Sequence, residues 1–100
     1  MNNGKHVVYV LESITYPERH YTGLCKNMQQ RLRLHNEGLS HHTARYKPWR
    51  LVVSLEFSDR STAARFERYL KSGSGRAFAR RHFGNDKRDS LIVSLVSNNR

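Results

Sequence analysis

The sequence predicts a small α+β layer fold, three helices packed on a three-stranded antiparallel sheet in the order ββαβαα. Three observations carry this expectation. The chain has 100 residues, 37% of them apolar, which is enough for one hydrophobic core. Two short runs rich in β-branched and aromatic residues are separated by a turn and followed by a capped helical stretch. A third run then alternates apolar and polar residues with a period of two before helical periodicity returns.

Residues 6–12 barely alternate, so they read as a strand buried on both faces, and the turn cluster 13–18 with Pro17 leads to a second strand over 19–24. An antiparallel hairpin follows. Asn27 offers an N-cap with Gln30 three residues on, and Gly38 supplies a stop, which predicts a helix over 28–37. Residues 38–48 hold no periodic apolar pattern and read as a basic loop. Leu51, Val53, Leu55 and Phe57 then form the buried face of a third strand. Ser58 or Asp59 caps a second helix running to about Ser72, where Gly73 and Gly75 mark its end, and 76–83 forms a third helix stopped by Gly84. The domain is expected over 1–84, with 85–100 a tail: a charged linker, then an apolar stretch at 90–97 that fits a strand or a helix and would serve to dimerise or to close the sheet.

Eighteen Lys and Arg against eight Asp and Glu leave a net charge of +10, which points to a polyanionic partner. The apolar fraction is too high for a disordered basic tail. The longest apolar run, Val7 to Leu11, is far short of the roughly 20 residues of a membrane span. The polar start of the chain lacks the features of a secretory leader, so the expected compartment is the cytoplasm. Cys25 is the single cysteine, which excludes an internal disulfide and a Cys-rich zinc site within this sequence. The six histidines include no His-x3-His pair.

Chemistry enters through the helices. On a wheel of about 100° per residue, Arg31 and His35 share the apolar side of the first helix with Met28 and Leu32. Burying a lone charge is expensive, so such residues are either edge groups with a satisfied core histidine or the walls of an aqueous cleft. Glu67 stands likewise in the apolar stripe of Ala63, Phe66 and Leu70, and an i,i+4 pair with Lys71 is its simplest partner. If Arg31, His35 and Glu67 converge over Tyr9 and Tyr21, the set suits metal-assisted attack on a phosphodiester.

These residues resemble a known family. Val7-Val8-Tyr9, then eleven residues, then Tyr21-Thr22-Gly23 is similar to the paired tripeptides of GIY-YIG nucleases. The order continues with Arg31 and His35 four apart on the next helix, a third strand, and Glu67 on the helix after it. The segments 31–38, 42–49 and 66–76 look most like small stand-alone bacterial members and the nuclease domain of Slx1-type structure-selective endonucleases. The resemblance implies a GIY-YIG-like fold and a DNA endonuclease, structure-selective in repair or recombination, acting on duplex or branched DNA with one Mg²⁺ or Mn²⁺ ion held weakly without DNA. It implies Tyr9 as general base or water-positioner with His35 as proton acceptor, Tyr21 holding the phosphate or the water, Arg31 clamping the scissile phosphate, and Glu67 as the metal ligand. Val7 stands where the first tripeptide opens with glycine, and the asparagine many members carry after the glutamate helix has Asn85, His82 or Ser74 as its nearest counterparts.

Independently of the family, Arg45 and Lys47 beside Tyr46 and Trp49, and Lys71, Arg76 and Arg80 further on, combine cations for phosphate with aromatics for unpaired bases. Residues 71–75 follow a helix rather than a strand, so they read as a helix end, not a nucleotide loop. The alternative to an enzyme is a nucleic-acid-binding module with the same fold and little or no cleavage.

Overall fold

The computed structural model describes residues 5–83 and the backbone of 91–94. Its elements are β1 (His6–Ser13), β2 (His20–Cys25), α1 (Met28–Asn36), a 3-10 turn (Ala44–Tyr46), β3 (Trp49–Phe57), α2 (Arg60–Lys71), α3 (Gly73–Phe83) and β4 (Leu91–Ser94). The expected three antiparallel strands and three helices are present. A fourth strand extends the sheet to the order β2-β1-β3-β4, with β4 running parallel to β3. The apolar stretch that fitted either a strand or a helix is therefore a strand over 91–94, while the expected Gly84 stop and linker 85–89 lie outside the described residues.

β1 is paired on both sides, to β2 and β3, which is why its sequence is apolar on both faces. Alternation splits its side chains between two cores. Val8 and Val10 join Val53, Leu55, Phe57, Ala63 and Leu70 beneath α2 and α3, with Phe66, Phe78 and Phe83 packed around them. Val7, Tyr9 and Leu11 join Cys25 and Trp49 on the other face, where Met28 and Leu32 of α1 close over them. The sheet is thus sandwiched between α1 on one side and the α2–α3 pair on the other.

The helix starts follow the sequence. Asn27 Oδ1 accepts from the Gln30 amide at 3.0 Å, and Asp59 accepts from the Thr62 amide at 2.9 Å, each satisfying a donor at a helix start. The α2–α3 junction differs from expectation, because α3 begins at Gly73 rather than at 76. Ser72 alone, in an extended conformation, separates the helices: its hydroxyl donates to Tyr69 O at 2.6 Å and accepts from Gly75 N at 3.2 Å, ending one helix and starting the next. Gly73 and Gly75 therefore open α3.

Gly75 is buried, and a Cβ there would lie 1.7 Å from the backbone oxygen of Tyr69, whereas a Cβ on Gly73 would meet nothing within 4 Å. Gly75→Ala is expected to cost about 2–4 kcal/mol in a denaturant titration, because backbone rather than a flexible side chain must yield. Gly73→Ala should cost nothing or stabilise the helix slightly. Equal effects from the two would contradict this packing.

Candidate active site

Tyr9 issues from the central strand, is 0% exposed, and stands opposite Gly23 of β2. That glycine is required by close approach: a Cβ would lie 2.5 Å from the Tyr9 hydroxyl oxygen. Two residues earlier, Tyr21 shares this face, with its ring centroid 6.2 Å from that of Tyr9. Across them lies α1, which turns His35 inward, 1% exposed. Tyr9 Oη is 2.8 Å from His35 Nε2, and the Tyr21 and His35 rings are 5.1 Å apart. Arg31, one turn before His35, lies close enough for its charge to act on both the Tyr9 phenol and the His35 imidazole. Tyr9, Tyr21 and His35 therefore come together, and Arg31 stands on the side of α1 that carries His35, the side the helical wheel gave to both.

The electrostatics keep the pair neutral. Burial pushes the Tyr9 phenol well above its ordinary value, Tyr21 adds to that, and Arg31 partly opposes it. Burial lowers His35, and the Arg31 guanidinium lowers it further. A phenol that holds its proton thus faces an imidazole that lacks its second one.

The other imidazole nitrogen, Nδ1, is 2.7 Å from Thr43 Oγ1, and that hydroxyl donates to Ser40 O at 3.4 Å. Thr43 is 1% exposed and is held by Trp49, whose Nε1 donates to Thr43 O at 2.9 Å. Asn36, next to His35, grips the Trp49 backbone from both sides: its Oδ1 accepts from Trp49 N at 2.5 Å and its Nδ2 donates to Trp49 O at 3.1 Å. Thr43 was absent from the expected site because the basic loop carries no periodicity. The available clue was chemical: an inward histidine needs partners for both ring nitrogens, and the adjoining loop offers hydroxyls.

Trp49 is a correction. Expected to stack on bases, it is 4% exposed and belongs to the core, fixed by Asn36 and Thr43. The exposed aromatic of this region is Tyr16, 46% exposed, edge-on to Tyr46, over whose ring the Arg19 guanidinium sits 4.5 Å from the centroid. Arg45 lies 5.6 Å from the same ring, and Arg45 and Lys47 are both exposed.

Glu67 does not share a hydrogen bond with the Tyr9 group among the described residues. It lies on α2, which packs on the opposite face, and pairs with Lys71 at 3.0 Å, its side chain 18% exposed. The two sides meet at the edge strand β2. There Tyr21, His20 and Arg19 line a groove of about 720 Å³ together with Lys71, Arg76 and Arg80. Of the nearest counterparts of the family asparagine, Ser74 is exposed in the first turn of α3, His82 packs its ring on Phe78 at 4.6 Å, and Asn85 lies outside the described residues. Among the described residues no three His, Cys, Asp or Glu side chains cluster to form a metal cage, and no helix is long and apolar enough to cross a membrane.

Comparison with known proteins matches the model of the GIY-YIG catalytic domain to residues 5–89. The chain is 36% identical over 88 residues to the structure-specific endonuclease subunit SLX1 of Candida dubliniensis, covering 81% of this chain and 29% of that protein. It is 40% identical over 62 residues to the SLX1 homolog of Giardia intestinalis, covering 58% of this chain and 17% of that protein. It thus spans less than a third of these curated relatives. The solution NMR structure of the UPF0213 protein BH0048 from Bacillus halodurans superposes with a TM-score of 0.49 at 27% identity, covering 80% of this chain and 87% of that one.

Proposed function

Because the chain belongs to the GIY-YIG catalytic domain family, we propose that it is a divalent-metal-dependent DNA endonuclease, hydrolysing one phosphodiester of duplex or branched DNA. The observation that carries the reading is the buried hydrogen bond between Tyr9 and His35, with the Arg31 guanidinium one turn away on the same helix, an assembly that costs desolvation and that a purely structural core would fill with apolar groups. Similarity to the SLX1 relatives, named as structure-specific endonuclease subunits, supports a substrate chosen by its structure.

In this reading Tyr9 Oη takes a proton from the attacking water as it passes its own to His35 Nε2, so no free phenolate is required despite the raised pKa. Arg31 neutralises charge on the scissile phosphate, and Tyr21 orients phosphate or water. Lys71, Arg76, Arg80, Arg19 and His20 receive flanking phosphates along the groove, and the exposed Arg45 and Lys47 on either side of Tyr46 receive others.

Glu67 fits a Mg²⁺ or Mn²⁺ ion in type, since it is a half-buried hard oxygen donor and such ions are held by one or two carboxylates completed by water and substrate phosphate. When bound, the ion supplies Lewis-acid stabilisation of charge developing on the phosphate. Lys71, which pairs with Glu67 at 3.0 Å, would have to release the carboxylate for such an ion to be held there.

The purified chain should be incubated with duplex, flap and four-way DNA with and without Mg²⁺ or Mn²⁺, alongside Glu67→Gln. Cleavage dependent on metal and lost in the variant, with DNA affinity within about threefold of the parent, is the expected result. Binding with no cleavage by the parent under any metal would leave only a nucleic-acid-binding module. Parallel loss of binding and cutting in the variant would reduce Glu67 to an anchor for Lys71.

A further inference from the structure

The proton on Tyr9 has few places to go. Arg31 has only donors to offer, so it cannot accept the phenolic hydrogen. The phenolic hydrogen is left to the nearest acceptor, His35 Nε2, at 2.8 Å. A neutral imidazole accepting at Nε2 carries its hydrogen on Nδ1, and that hydrogen faces Thr43 Oγ1 at 2.7 Å. Thr43 can accept it because its own hydrogen is directed to Ser40 O. Every hydrogen in the chain then points the same way, from Tyr9 to His35 to Thr43 to Ser40.

We propose that Thr43 is a positioning residue: by accepting from His35 Nδ1–H while donating to Ser40 O, its hydroxyl fixes the imidazole in the tautomer whose Nε2 can take the Tyr9 proton. The opposite tautomer would place Nε2–H against the phenol and leave no base there. Two features make the arrangement rigid. Thr43 O is anchored by Trp49 Nε1, and Trp49 is anchored by the residue adjoining His35, so the loop and the helix carrying the histidine are tied to one point. The ordering of the loop between α1 and β3 thereby acquires a chemical purpose, since side-chain partners of this kind set tautomer and ring orientation.

The inference rests on the reading of Tyr9 and His35 as the proton-handling pair, so its test includes a measurement that needs no cleavage. Long-range ¹H–¹⁵N correlation on the labelled chain near neutral pH should show His35 neutral, with hydrogen on Nδ1 and a bare Nε2. In Thr43→Val, which keeps the shape and removes the hydroxyl, the spectrum should shift toward the Nε2–H form and cleavage should fall on the order of 10- to 100-fold. Thr43→Ser, which restores a hydroxyl, should recover both. A parent His35 carrying hydrogen on Nε2 overturns the proposal, as does a Val variant that keeps the Nδ1–H form and the parental rate. Should the Val variant fail to fold, the parent spectrum and the Ser variant still decide. A chain that never cuts but shows the Nδ1–H form sustains the tautomer lock and refutes only the endonuclease.

Discussion

Tyr9→Phe is expected to lower DNA cleavage by on the order of 10²-fold or more while leaving DNA affinity close to the parental value. The change deletes one oxygen and keeps the ring that fills the core, so cavity costs are absent. What it leaves behind is His35 Nε2 buried without its partner, which should cost about 1–3 kcal/mol in stability. The pH profile gives an independent check. Neutral His35 is the competent acceptor, and burial together with Arg31 holds its pKa below the ordinary 6.5. Cleavage by the parent should therefore rise with pH along a limb lying below 6.5 and level above it. Stability carries the same sign: the unfolded chain takes up this proton near 6.5 and the folded chain does not, so folding weakens as pH drops through that value. A Tyr9→Phe protein that cuts at the parental rate would show that the hydroxyl has no chemical role.

Gly23→Ala should be as damaging, for a steric reason. The added methyl would lie 2.5 Å from Tyr9 Oη and 2.6 Å from Cζ. A terminal atom on a flexible chain could step aside, but this ring is 0% exposed and walled in. Either the ring leaves His35 or β2 shifts away from β1, and both break the geometry. A loss of about 2–3 kcal/mol and at least 10²-fold in rate is expected, measured by denaturant titration and by cleavage under the same conditions. Parental activity in the variant would mean that Tyr9 is free to relocate without consequence.

The sequence made most of this legible where the local code and the tertiary outcome agree. Asn27 and Asp59 cap helices as their types dictate, and β1 is apolar throughout because it is central. The inward direction of Arg31 and His35 followed from helical spacing alone. Three features could not be read that way. The apolar stretch near the end of the chain was ambiguous because four residues pairing parallel to β3 are too short to express a period. Gly73 and Gly75 looked like a helix stop, since only three-dimensional packing distinguishes a glycine that ends one helix from a glycine that lets the next approach it. Trp49 looked like a surface ring because its neighbours Arg45, Lys47 and Arg50 are charged, while its two anchors, Thr43 and the amide of Asn36, are small polar residues with no pattern of their own.

The division of the interior into two clusters also divides its mutational freedom. Val8, Val53, Leu55 and Ala63 fill space, so that half can drift among aliphatic residues as long as volume is conserved. The other half has a reactive hydroxyl embedded in it: Val7, Leu11, Cys25 and Trp49 are the walls that hold the Tyr9 ring at its distance from His35. A methylene gained or lost there moves an oxygen atom that must stay within hydrogen-bonding range. Selection for thermal robustness therefore has ample room under α2 and α3 and almost none under α1, and a variant library screened for both properties should sort itself along the two faces of one sheet.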